Sequence, residues 1–337
     1  MERFRARKQK SGNTYYYFDT GQKPRREIPL GNDYVIAVRK WTELIGGEET
    51  AAPVSDFEAL ARKYEREQIP LKAKSTQATN RSDLKLLRQF FCDPTPAPLD
   101  QIKPTHIKAM LRWKADQPTT ANRLKRLFSH MFNMAREWGY TEATNPVAGI
   151  KGYELPKRQV YVSDAVYRAV WQCASQPLRD AMDLAYLTGQ RPGDVLKFSE
   201  HQIQDGVFVI AAQAKTGKPL RIRIEGEFGA LMERIAARKA GHRVWSTALA
   251  VNMHGMAMSK QVLRNHFELA RTAAAVQFPK LAAEISQMWF YDLRAKAADD
   301  VSDDRGDQAA ADLLGHENVR TTQRHYLRRG KQVGPTK

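Results

Sequence analysis

The sequence predicts a mainly α protein with small β elements, an α+β chain in three parts. Apolar residues recur at helical spacing over most of the 337 residues. A β-favouring aromatic run opens the chain, and one later pair of β-branched runs flanks a glycine turn. The length is more than one small domain needs, so each part can bury its own core.

The first part covers residues 1–50. In "RARKQKSGNTYYYFDTGQKPRREIPLG" a basic arm runs into Tyr15, Tyr16, Tyr17 and Phe18, turns at Thr20-Gly21 and continues as an extended basic segment to Gly31. A helix begins near Asn32-Asp33 and reaches about Leu44, stopped by Gly46-Gly47. This makes a β-β-β-α unit, a basic three-stranded sheet plus helix. Such a sheet fits a DNA major groove, and Arg5, Arg7, Lys8, Lys10, Arg25 and Arg26 are its candidate DNA contacts. A plain structural meander carries the same pattern.

The small, polar "GGEETAAPVS" reads as a linker, and residues 54–150 are helical throughout. "SDFEALARKYEREQ" opens on a capping candidate and keeps Phe57, Leu60, Ala61 and Tyr64 on one stripe. "TNRSDLKLLRQFF" repeats the pattern with Leu84, Leu87 and Phe91, and "KPTHIKAMLRWKAD" and "TANRLKRLFSHMFNMAREWGY" add two more helices. Arg123, Lys125 and Arg126 on the last of these are candidate DNA contacts, although solvation alone accounts for most charged helix faces.

A second linker, "KGYELPKRQVY", leads into residues 158–337. There "DGVFVIAAQ" and "PLRIRIEGE" flank "AKTGK", which predicts a hairpin with Gly217 in its turn. Helices resume at about Gly226 and continue to the end. No fixed-period repeat or low-complexity tract is present.

The formal charge of +17 is spread along the chain, which favours a polyanionic partner, most simply nucleic acid, over an ordinary enzyme with a solvated basic surface. Two cysteines, Cys92 and Cys173, are too few for a disulfide framework or a cysteine-rich zinc site. No apolar run approaches the length of a membrane span, and "MERFRARKQKSG" lacks the apolar core of a signal peptide. A cytoplasmic protein without membrane partners is expected.

Four spots place polar groups where a plain amphipathic helix would not. Arg191 in "AYLTGQRPGDVLKF" stands at a turn between two helices, Lys215 at the hairpin tip, and Arg294 in "WFYDLRAKAADD" just after an aromatic run. The fourth, "LLGHENVRTTQRHYLRR", holds His316, His325 and Tyr326. Each alone has a bland explanation, such as a capping arginine or a satisfied core histidine. Together they supply forked cations, a lysine, an imidazole and a phenol, without the paired carboxylates or cysteine cluster that would hold a catalytic metal. That set suits attack on a phosphodiester. Planar guanidinium groups hold the extra negative charge on the non-bridging oxygens, a lysine protonates the leaving oxygen, and a phenol conserves the bond as a phosphotyrosine ester. No metal or other cofactor is required.

In this order and at these separations, "TGQRPGDVL", "AKTGK", "YDLRAKAA" and "LLGHENVRTTQRHY" resemble the active-site boxes of tyrosine recombinases, above all phage integrases of the lambda type. The likeness spans about residues 160–330. It implies that residues 158–337 are the catalytic domain, and that 54–150 and 1–50 are similar to the helical, SAM-like core-binding domain and the arm-type DNA-binding domain of those integrases. It further implies that Arg191 and Arg294 clamp the phosphate, that Asp194 supports Arg191, and that Lys215 protonates the leaving oxygen. His316 then contacts the phosphate or accepts the tyrosine proton, and Tyr326 is the nucleophile. The implied partners are double-stranded DNA attachment sites and a homotetramer on DNA, with a host DNA-bending protein and an excision factor as candidate accessories. The family's C-terminal tail packs on a neighbouring protomer, a role open to "RRGKQVGPTK".

Two departures from the family pattern stand out. Tyr291 occupies the place, three residues before Arg294, where the family carries histidine or lysine, and a phenol brings no positive charge there. Nine residues after His316, where the family's nucleophile stands, is His325, with Tyr326 one residue further on. Two other readings fit the sequence: a non-catalytic DNA-binding regulator or excision factor on the same fold, favoured by Tyr291, and a type IB topoisomerase-like strand passage enzyme. Tyr186, a third phenol, is expected to pack in the core.

Overall fold

A computed structural model describes residues 3–9, 12–45, 55–213, 217–330 and 335. The chain divides into two compact units, Met1–Pro156 and Lys157–Lys337.

In the first unit, strands β1 (Phe4–Lys8), β2 (Thr14–Asp19) and β3 (Glu27–Gly31) form an antiparallel sheet in that order, followed by helix α1 (Tyr34–Ile45). The strand alternation sorts the residues by face. Phe4 pairs with Phe18, and with Tyr16, Leu30, Ala37 and Trp41 they form a small core. On the other face Arg5 pairs with Tyr17 and Arg7 with Tyr15, while Asp19 and Glu27 bridge Arg5, Arg7 and Arg25. The Asp33 carboxylate caps α1 by accepting from Ile36 N at 3.0 Å. Lys10 and Gly46-Gly47 lie outside the described residues.

The same unit carries helices α2 (Phe57–Glu67), α3 (Lys74–Phe91), α4 (Pro104–Trp113) and α5 (Pro118–Glu137). Asp56 caps α2 through Ala59 N at 2.8 Å. Every residue of the two apolar stripes read from the sequence is buried, and the Phe57, Phe91 and Phe128 rings pack together at the centre. Of the basic residues on α5, Arg123 binds buried Asp83 through two nitrogens at 2.8 and 2.6 Å, and Lys125 donates to the Ile150 carbonyl at 2.6 Å. Arg126 is exposed.

The second unit contains α6 (Asp164–Gln172), α7 (Gln176–Thr188), the single turn α8 (Pro192–Val195), strands β4 (Ile203–Gln204), β5 (Val207–Ile210) and β6 (Leu220–Arg223), then α9 (Gly226–Ala240), α10 (Lys260–Gln277), α11 (Ala282–Gln287), α12 (Asp292–Leu314) and α13 (Val319–His325). The hairpin forms where the β-branched runs lie, with β4 added at its edge. Gln213 and Lys218 close its turn (Gln213 N to Lys218 O, 2.9 Å). The C-terminal part is not helical throughout, however. Between α9 and α10 the chain is irregular, because the Asn252 side chain accepts from the amides of His254 and Met256 and Gly255 takes a positive φ, which together build a turn. Among the described residues, no helix is long and apolar enough to cross a membrane.

Helix α12 is the centre of this unit. Its first eight residues, Asp292 to Asp299, are all buried, which an amphipathic surface helix would not allow. Alanine at 295, 297 and 298 lets neighbours approach closely, while Lys296 is neutralised by Asp164 and by Asp300 at 2.9 Å. Tyr186 donates to the same Asp300 at 2.7 Å, so it is partly buried with its hydroxyl satisfied. The helix breaks at Gly306, whose φ of 86° is accessible to glycine.

Candidate active site

The site is built around the Arg294 guanidinium, which is 1% exposed. Helices α7 and α12 both end on left-handed glycines, Gly189 (φ 62°) and Gly315 (φ 67°), and the carbonyls at these ends lack intrahelical partners. Arg294 fills that gap, with Nη1 donating to Gly189 O at 2.6 Å and Nη2 to Leu314 O at 2.8 Å. A side chain at 315 would meet Gln213 Nε2 at 2.8 Å, so glycine is required there for space as well as for φ.

The same Arg294 Nη2 lies 3.2 Å from His316 Nε2, and His316 Nδ1 lies 2.8 Å from Thr322 Oγ1. Because a guanidinium only donates, Nε2 accepts and the neutral ring carries its proton on Nδ1, facing the threonine. Asn318 caps α13 through Arg320 N at 2.8 Å, and Thr322 O receives Tyr326 N at 2.8 Å. This short helix spans most of the stretch between His316 and the tyrosine. It leaves His325 exposed and turns Tyr326 inward to 8% exposure. The Tyr326 ring lies 5.1 Å from both the Arg294 guanidinium carbon and the His316 ring centre, and its hydroxyl is 2.9 Å from that of Tyr291.

Residues 162–332 match the phage integrase family. The chain belongs to that family. The integrase is 27% identical over 340 residues to the integrase of Enterobacteria phage 434, and 26% identical over 340 residues to that of Escherichia phage lambda. Each alignment covers 95% of this chain and 93% of the relative. Its fold matches a lambda integrase dimer bound to a COC' core site with a TM-score of 0.70 at 21% identity, over 100% of this chain and 98% of that one. A Tn1549 transposon integrase in complex with transposon right end DNA gives a TM-score of 0.65 at 16% identity, over 79% and 93%. Of the readings the sequence leaves open, the integrase is therefore a tyrosine-type site-specific DNA recombinase.

Arg191 precedes α8, whose first residue is Pro192, and its Nη1 is 3.9 Å from the buried Asp194 carboxylate. That Nη1 and Arg294 Nε are both buried without a hydrogen-bond partner among the described residues. Lys215 falls outside the described residues. Two cationic forks thus stand beside one imidazole and two phenols.

Their charges set the protonation states. Burial, then the charges of Arg294 and Arg191, lower the His316 pKa to about 4, so the ring is neutral at physiological pH. Burial alone would raise the Tyr326 phenol, but the hydrogen bond from Tyr291 and the charges of Arg294 and Arg191 outweigh it and hold the phenol below its usual value. Tyr291 moves the other way, up to about 12, through burial and its contact with Tyr326. The Tyr291 phenol therefore stays protonated at neutral pH, and either hydroxyl can serve as donor in the pair.

Sequence reasoning missed several residues that build this site. Gln190 donates to Leu313 O at 2.9 Å, and Gln213 donates to Gln190 Oε1 at 2.6 Å and to Leu314 O at 3.1 Å, which locks the two helix ends under Arg294. Asp292, Arg158 and Arg328 form a buried ion cluster at the base of α12. The available signal was Asp292 between an aromatic run and Arg294, where a lone surface carboxylate has no reason to stand.

Proposed function

We propose that the integrase cleaves one DNA strand at a time at its attachment sites through a 3′-phosphotyrosine at Tyr326, and exchanges strands as a homotetramer. The observation that carries this reading is the convergence of Arg294, His316 and Tyr326, with Arg191 close enough for its charge to act on both the imidazole and the phenol. The unused donors of Arg191 and Arg294 suit the non-bridging oxygens of a phosphodiester. When a phosphate draws Arg294 Nη2 away from His316, Nε2 becomes free to take the Tyr326 proton. The phenolate oxygen then bonds to phosphorus, the bond from phosphorus to the 5′ oxygen breaks, and Lys215 supplies the proton that leaves with the 5′ hydroxyl. Asp194 holds Arg191, and His325 lies outside the chemistry, against DNA.

Residues 158–337 act as the catalytic domain, 54–150 as the core-binding domain and 1–50 as the arm-type domain. Solved structures of lambda integrase, described as a dimer on a core site and a tetramer on a Holliday junction, support duplex DNA as substrate and the tetramer as working state.

A nicked suicide substrate carrying the attachment site tests this. Wild type is expected to form a covalent adduct whose peptide maps to Tyr326, and Tyr326→Phe to form none while still binding DNA. An adduct on Tyr291, or one that survives Tyr326→Phe, overturns the assignment.

A further inference from the structure

We infer that Asp292 and Arg328 are positioning residues, a latch that holds the segment carrying Tyr326 against the base of α12 within the same chain. This rests on the assignment of Tyr326 as nucleophile. Asp292 is the residue after Tyr291 and two before Arg294, and Arg328 is two beyond Tyr326. Their side chains are 0% and 4% exposed and meet at 2.6 Å, Arg328 Nη1 to Asp292 Oδ1. One carboxylate therefore ties the helix start that presents Tyr291 and Arg294 to the irregular segment that follows the phenol.

The cluster is almost fully satisfied, as a buried charge must be to hold a geometry. Asp292 also accepts from Arg158 Nε at 2.8 Å, Arg158 Nη2 at 2.5 Å and Trp289 N at 2.8 Å. Arg158 lies over the Trp289 ring at 3.8 Å. Arg328 Nη1 donates to Val160 O at 2.7 Å, and the Arg328 amide donates to the buried Asp299 carboxylate at 2.8 Å. Next to it, Arg329 pairs with Asp303 at 2.8 Å. Helix α13 is only seven residues long, too short to fix a tyrosine at its C-terminus unaided. The ion pairs on its far side complete the seat.

Two readouts test the latch. In single-turnover cleavage at saturating DNA, Arg328→Ala is expected to form the Tyr326 adduct about 10²-fold more slowly, because an ångström of misplacement of a reacting group costs about that much. DNA affinity should be unchanged and Arg328→Lys should recover part of the rate, since one ammonium can reach Asp292 but cannot reproduce the fork. Independently of catalysis, trypsin should nick after Arg324 and Arg329 faster in Arg328→Ala and Asp292→Asn than in wild type, under conditions where circular dichroism shows the fold intact. Wild-type nicking and wild-type adduct rates in folded Arg328→Ala would overturn the proposal. If wild type itself forms no adduct, the reading of Tyr326 fails instead, and the trypsin comparison still judges the latch.

Discussion

The hydroxyls of Tyr291 and Tyr326 lie 2.9 Å apart, so two phenols share one hydrogen bond, one of them at the sequence position where the family pattern has histidine or lysine. The pair is asymmetric. Tyr291, 39% exposed, has its pKa raised to about 12, while Tyr326, beside Arg294, has its pKa lowered. Under the proposed mechanism a neutral phenol stands there, and the positive charge beside Tyr326 comes from Arg294 and Arg191. The departure read from the sequence as a missing cation is thus a hydrogen bond to Tyr326, the proposed nucleophile.

Removing that bond should weaken the nucleophile without removing it. Tyr291→Phe leaves the Tyr326 phenol with a higher pKa, so the limb of the single-turnover rate that rises with pH moves to more alkaline pH. At neutral pH the cleavage rate drops about tenfold, the usual scale for one hydrogen bond to a charged group. Tyr291→His restores a donor and should bring the limb back. A pH-rate profile for Tyr291→Phe that overlays wild type would remove Tyr291 from the reaction.

His316 makes stability depend on acidity. Its folded pKa of about 4 lies below the value of 6.5 for a free imidazole. Above the free value both folded and unfolded chains hold a neutral ring, and pH has no effect through this group. As pH falls from 6.5 towards 4, the unfolded chain binds a proton that the folded chain refuses, so stability declines, and below 4 the loss levels off. The ring is only partly buried, which limits the effect to roughly 1–3 kcal/mol. Urea melts at about pH 7 and about pH 4.5 should show this loss in wild type and a smaller one in His316→Gln.

The sequence disclosed those parts of the molecule whose signal is local. The stripe from Phe57 to Tyr64 and the run before Phe91 are periodic, so their burial follows from spacing, and the Gly189 helix end is written as glycine after an apolar helix. Arg191, Arg294, His316 and Tyr326 stood out because polar groups interrupted those patterns. The latch did not, because Asp292 finds Arg158 across 134 residues and Arg328 across 36, and no periodicity connects such positions. Strand β4 has two residues, too few for alternation to register. The Tyr291 substitution was visible, but its meaning needed the 2.9 Å contact.

The basic face of α5 also divides in a way that composition alone conceals. Arg123 and Arg126 are both candidate DNA contacts, yet Arg123 is held by Asp83, a carboxylate 2% exposed, and Arg126 is exposed. Truncating Arg123 to alanine leaves a buried charge without its partner. Arg123→Ala should therefore destabilise the helical module by about 1–3 kcal/mol, measurable by chemical denaturation. Arg126→Ala should leave stability within about 0.5 kcal/mol and instead lower the slope of log affinity against log salt by about one. If Arg123→Ala changes the salt slope and not the stability, the Asp83 pair is incidental and Arg123 belongs to the DNA surface.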